Sequence, residues 1–149
     1  MEWGAAGAVL KIAAAAAVGL LALFLLQERM LFHPVPGPQS APGADSVFIE
    51  AADGTRLHAW HVKASPGAPL VLYFGGNAEQ VSWMAAEAQQ RAPGTAWLLV
   101  DYRGYGSSAG SPSERALVAD ALLWHDEAKK RFQPSRVFLF GRSLGSGVA

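Results

Sequence analysis

The chain has no cysteine, which removes disulfides, thiolate metal sites and a cysteine nucleophile, and leaves both cytoplasmic and exported compartments open. It has no excess of charge either. Twelve lysines and arginines balance twelve aspartates and glutamates, so nothing points to nucleic acid or to a broadly anionic partner. No metal or organic cofactor is implied by the residues present. Charge is scarcest near the start, where Lys11 is the only charged side chain from Gly4 to Leu26. Apolar residues make up 51 % of the 149, enough to bury one core, so the soluble part reads as a single domain.

The segment from Gly4 to Leu26 is long enough as a helix, about 34 Å, to cross a hydrocarbon core. Lys11 can snorkel to one interface along its aliphatic stem. A single-pass anchor over 1–27 ranks first. A cleaved signal peptide ranks second, because Gln27-Glu28-Arg29 supplies no Ala-x-Ala site. A buried core helix ranks third, because no polar face exists for a soluble fold to expose. Lys11 on one side and Arg29 on the other balance, so the side of the membrane stays open.

Residues 28–45 hold Pro34, Pro36, Pro38 and Pro42 and read as a stiff spacer. From residue 46 to 149 the pattern is α/β. Ser46 to Ala51 and Arg56 to Val62 flank Asp53-Gly54, a hairpin signal, and form an antiparallel edge. Pro69 to Phe74, Ala96 to Val100 and Val137 to Phe140 are continuous apolar runs, as expected of central parallel strands covered on both faces. Helical patterns span Glu79 to Arg91 and Pro112 to Phe132. In the second, Ser111 is the expected cap, with Pro112 in the first turn and Glu114 reaching back. Leu117, Ala121, Trp124 and Ala128 make one apolar stripe on it. Strand, helix, strand, helix, strand is a doubly wound plan with a mostly parallel sheet.

Gly141-Arg142-Ser143-Leu144-Gly145 follows a strand directly and opens a helix. That is where a serine on a strained turn would expose Oγ, with flanking glycines removing the Cβ atoms that would collide. Gly106-Ser107-Ser108-Ala109-Gly110 fits the same pattern, but Ser108 lies in a glycine- and serine-rich loop, so its match reads as coincidental. Ser143 is therefore the expected nucleophile. An oxyanion needs two N–H donors: Leu144 would give one, and the Gly75-Gly76-Asn77 loop the other, with Asn77 chosen over its neighbour Gly76.

Val100-Asp101-Tyr-Arg-Gly-Tyr-Gly and the Ser143 motif together make residues from about 30 to 149 resemble the membrane-anchored α/β-hydrolase-domain family, relatives of serine aminopeptidase-like and depalmitoylase-like hydrolases. That family carries His-Gly-Asn-Ala after its strand. The chain matches at Gly76, Asn77 and Ala78, and has Gly75 in place of histidine. The resemblance implies the N-terminal part of an α/β-hydrolase fold behind one transmembrane helix. It also implies activity on esters or thioesters, including acylated proteins or lipids.

An activated serine needs an imidazole and a carboxylate, which in this plan follow it in the order serine, acid, histidine. All four histidines precede Ser143. His33 adjoins the proline spacer. His58 and His61 sit three apart on the hairpin, on opposite faces, and cannot share a ligand. His125 stands beside Asp126 on a helix face expected to be solvated. The expectation is an N-terminal part of a longer hydrolase, inactive alone and with an exposed sheet edge, since such a domain needs roughly 200 residues. A non-catalytic scaffold and acyl transfer to an acceptor other than water remain as alternatives. Serine rather than aspartate at the turn argues against haloalkane-type chemistry.

Overall fold

The computed structural model describes residues 2–149, with side chains described for residue 4 and residues 6–149. Met1, the first residue of the expected anchor, lies outside the described residues. The chain divides into two compact units, one ending at Leu31 and the other running from Phe32 to Ala149.

The first unit is a single helix, α1 (Glu2–Leu31). Its Ala6–Leu31 stretch, with mean hydropathy 2.5, is long and apolar enough to cross a membrane by length and composition. The helix runs beyond residue 27 to Leu31, because Gln27, Glu28, Arg29 and Met30 are all good helix formers. Arg29 in its last turn complements the negative end of the helix dipole.

The second unit is built on a five-stranded mixed sheet. Its strands are β1 (Asp45–Glu50), β2 (Arg56–Val62), β3 (Leu70–Phe74), β4 (Ala96–Asp101) and β5 (Val137–Gly141). Their spatial order is β1-β2-β4-β3-β5. β3 runs parallel to both β4 and β5, while β2 is antiparallel to β1 and β4. The β1–β2 turn uses Gly54 at φ 78°, and the Asp53 carboxylate accepts from Thr55 N–H at 3.0 Å. This is the local chemistry that Asp-Gly predicts for a hairpin.

Alternate residues of the strands feed two cores. Leu70, Leu72 and Phe74 with Leu98 and Val100 face α3 (Glu114–Phe132), whose Leu117, Ala121, Trp124 and Ala128 are all buried. Val71 and Tyr73 with Trp97 and Leu99 face α2 (Met84–Arg91), which buries Met84, Ala85 and Ala88. The two helices thus cover opposite faces of the sheet, as a doubly wound plan requires. β5 departs from the expected burial. It pairs only with β3 among the described residues, and Phe138, Leu139 and Phe140 are 48, 51 and 41 % exposed.

Two local expectations are corrected. α3 starts at Glu114, and its cap is Ser113, whose Oγ accepts from Ala116 N–H at 3.2 Å. Ser111 lies too early to cap it; extended φ and ψ at Ser113 leave residues 111 and 112 outside the helix. The helix expected from Glu79 begins only with a 3₁₀ turn at Val81–Trp83, because Glu79 is drawn into the preceding loop. From Phe32 the proline-rich stretch lies within the second unit as a docked strap. Phe32 is buried and Val35 packs against the core. Gly106 N–H donates to the Val35 carbonyl at 2.8 Å, and Gly37 N–H to the Gly106 carbonyl at 3.2 Å. Proline gives no N–H but keeps its carbonyl, and that of Pro36 accepts from Gln80 Nε2.

The cap assignment is testable by denaturant titration. Ser113→Ala should cost about 1 kcal/mol of stability, while Ser111→Ala should cost almost nothing.

Candidate active site

β3 and β5 are neighbours in the sheet, and the chain leaves their carboxyl ends toward opposite faces. β3 leads to α2 on one face; the turn after β5 packs Leu144 and Val148 into the core on the α3 face. Such a point, where successive connections diverge, leaves a crevice beyond the strand ends. Ser143 and the Gly75-Gly76-Asn77 loop follow the carboxyl ends of β5 and β3 at that point.

Ser143 is exposed and has φ 51°, the left-handed region that a residue with a Cβ occupies only under constraint. The constraint is the glycine pair around it. A Cβ on Gly145 would lie 2.0 Å from the Phe74 carbonyl oxygen, and one on Gly141 would lie 2.2 Å from the Gly145 carbonyl oxygen. The bare backbone can therefore fold tightly from β5 into the 3₁₀ turn Ser143–Gly147 and press against the end of β3. Arg142 N–H donates to the same Phe74 carbonyl at 3.0 Å. Leu144 N–H, near the start of the turn, makes no hydrogen bond among the described residues, as expected of the first donors of a helix.

The glycine loop comes close on the other side, where a Cβ on Gly76 would lie 3.6 Å from Ser143 Cβ. Gly76 N–H is already committed, donating to Glu79 Oε2 at 2.6 Å. Asn77, the residue expected to supply the second donor, is tied down by its side chain. Its Oδ1 accepts from Tyr105 OH at 2.6 Å, His33 N–H at 2.9 Å and Ala78 N–H at 3.1 Å. The departure at Gly75 has a steric account: a Cβ there would lie 2.7 Å from Val81 Cγ1, so valine fills the space a side chain at 75 would need.

Sequence reasoning missed the groups that hold this loop. Glu79, with only 7 % of its side chain exposed, also accepts from Tyr73 OH at 2.6 Å, Trp83 Nε1 at 2.9 Å and Arg142 Nη1 at 2.9 Å. Burial pushes its carboxyl up, but those hydrogen bonds and the Arg142 charge outweigh it and hold the pKa below the usual value. Its contribution to stability is thus complete above the ordinary glutamate range and is lost as pH falls through the lowered value. Tyr102 OH donates to the Gly75 carbonyl at 2.9 Å, and burial raises its pKa, so it remains a donor. The signal for both tyrosines was present in Asp101-Tyr-Arg-Gly-Tyr-Gly, where two phenols directly follow a central strand.

The histidines are placed as follows. His33 is not confined to the spacer: its Nδ1 stands 3.2 Å from Asn77 Nδ2, beside the loop. His58 lies on β2 of the hairpin, as expected. It is fully buried, and its Nδ1 donates to Asp101 Oδ2 at 2.7 Å while Nε2 lies 3.0 Å from Ser46 Oγ. This serine–imidazole–carboxylate chain is not the base for Ser143. β2 and β5 stand three strand spacings apart, on the order of 14 Å. His61 stacks on Phe132 at 4.0 Å from the opposite face of β2, and burial lowers its pKa. His125 Nδ1 meets Asp126 at 3.0 Å. No histidine is hydrogen-bonded to Ser143 among the described residues. Ser108, the rival motif match, is buried; its Oγ donates to the Asp101 carbonyl and accepts from His58 N–H, both at 2.8 Å. That hydroxyl is spent on structure.

The fold is that of the α/β hydrolases. Among solved structures, an α/β hydrolase from Vibrio vulnificus superposes with TM-score 0.60 at 27 % identity, over 72 % of this chain and 38 % of its own. The Pyrococcus furiosus esterase Pf2001 superposes with TM-score 0.57 at 18 % identity, over 77 % and 51 %. The chain has homologues named as α/β-hydrolase-domain proteins and ABHD12 lipases. It is 35 % identical over 147 residues to the α/β hydrolase domain-containing protein WAV2 of Arabidopsis thaliana, covering 87 % of this chain and 47 % of that protein. It is 35 % identical over 124 residues to lysophosphatidylserine lipase ABHD12 of Gallus gallus, covering 80 % and 30 %. An uncharacterised Mycobacterium tuberculosis protein is 37 % identical over 152 residues, covering 95 % and 54 %. No protein-family model matches. The chain spans about half the length of the first of these curated relatives, or less.

The glycine constraint gives a direct test. Gly145→Ala should lower stability by about 1–3 kcal/mol through overpacking against Phe74. Gly147→Ala, where a Cβ meets nothing within 4 Å, should stay within about 0.5 kcal/mol of the parent in the same thermal-unfolding assay.

Proposed function

We propose that the chain carries the nucleophile and oxyanion elements of a membrane-tethered serine hydrolase acting on ester or thioester bonds. The observation that carries this reading is Ser143 itself. It is exposed and left-handed at the end of a parallel strand, with a glycine-rich loop from the adjacent strand beside it. Ser143 Oγ would attack the acyl carbon and pass its proton to an imidazole base. The oxyanion would be received by the N–H groups of Leu144 and Asn77. Collapse of the tetrahedral intermediate would expel the alcohol or thiol, which takes that proton, and leave the acyl group on Ser143. Water, activated by the same base, would then release the acid and restore the serine.

In the α/β-hydrolase chain order, the acid and the histidine follow the nucleophile. A binding scaffold on the same fold would lack that acid or that histidine. The name of the Gallus gallus lipase supports acyl esters as the substrate class. α1 supports tethering, which would suit a lipid or an acylated protein as substrate.

The test is turnover of p-nitrophenyl esters and acyl thioesters by the full-length protein. Ser143→Ala should lower kcat at least about 10³-fold, and Ser108→Ala should leave turnover per folded molecule in place. Wild-type turnover in Ser143→Ala would sink the reading, and absence of turnover on every ester and thioester in the folded parent would favour the scaffold.

A further inference from the structure

Glu79 has the most crowded carboxylate in the second unit. A carboxylate offers about four lone-pair sites on its two oxygens. All four are taken: Oε1 accepts from Tyr73 OH and Trp83 Nε1, and Oε2 from Gly76 N–H and Arg142 Nη1. One oxygen therefore touches both the residue before Asn77 and the residue before Ser143. These are the two segments whose separation decides whether an acyl oxygen on Ser143 can reach its donors.

We propose that Glu79 is a positioning residue that clamps the Gly75–Asn77 loop to the turn bearing Ser143 and so sets the width of the oxyanion site. The inference rests on the assignment of Ser143 and Asn77 under Proposed function. With Gly76 N–H turned to the carboxylate, that group is not available to an oxyanion, which supports the choice of Asn77 over Gly76 made above. Arg142 is 59 % exposed, so its pairing with Glu79 adds little to stability, and its use is geometric. A displacement of about 1 Å in such a site can cost on the order of 100-fold in rate without touching substrate binding.

Glutamine at 79 is the sharpest probe, since it keeps the shape but puts an NH₂ donor where two donors already point. In the full-length enzyme with a p-nitrophenyl ester, Glu79→Gln should lower kcat about tenfold to a hundredfold, with KM little changed. The rates are taken per folded molecule, from the cooperative unfolding amplitude. Glu79→Ala should lose as much or more where it folds; where it does not, the glutamine variant decides alone. Wild-type kcat in Glu79→Gln, beside an inactive Ser143→Ala, would overturn the clamp and leave the nucleophile standing. Turnover that survives Ser143→Ala would overturn the nucleophile and the clamp with it.

Discussion

The carbonyl of Phe74, the last residue of β3, is the point about which the candidate site is arranged. It accepts from Arg142 N–H, and Gly145 lies so close to it that no side chain fits between. That contact forces the chain leaving β5 to turn back sharply, and the sharp turn drives Ser143 to positive φ. Because Phe74 is followed at once by Gly75, Gly76 and Asn77, the same contact brings the glycine loop beside the serine. Ser143 and the Gly75–Asn77 loop are thus joined through one backbone carbonyl. Left-handed strain at Ser143, of order 1–3 kcal/mol, persists because packing around that carbonyl leaves no other path.

The conspicuous Asp101-Tyr-Arg-Gly-Tyr-Gly stretch has a structural role in this arrangement. Asp101 holds buried His58 and accepts from Ser107 N–H, and a Cβ at Gly106 would overlap its carboxylate. Arg103 bridges Asp53 of the hairpin to Asp120 of α3. Tyr102 and Tyr105 then reach across to Gly75 and Asn77. The loop facing Ser143 is gripped from β4 by two phenols, from the strap by His33, and from its own sequel by Glu79. A loop so held needs little reorganisation as charge develops, which is the physical requirement for an oxyanion site.

What was legible in the sequence was whatever depends on near neighbours. Alternation and apolar runs located the strands within a residue or two, Asp53-Gly54 located the hairpin, and a four-three-four spacing found the buried stripe of α3. Strand-then-helix context sets Ser143 apart from Ser108, whose Oγ is bonded in the structure to the Asp101 carbonyl and to His58 N–H. What was not legible depends on distant partners. His58 reads as a hairpin polar residue until Asp101 arrives 43 positions later. Glu79 reads as the start of a helix, because its partners Tyr73 and Arg142 lie on two different strand ends. Ser111 and Ser113 are indistinguishable as caps by composition, and only the backbone geometry at Ser113 separates them.

The most direct measurement is to treat the full-length, folded protein with a fluorophosphonate and map the adduct by peptide mass spectrometry. The account predicts a single phosphonylated serine at Ser143, within the peptide that begins after Arg142. An adduct at Ser46 or Ser108 instead, or an unmodified Ser143 in folded protein, would contradict it.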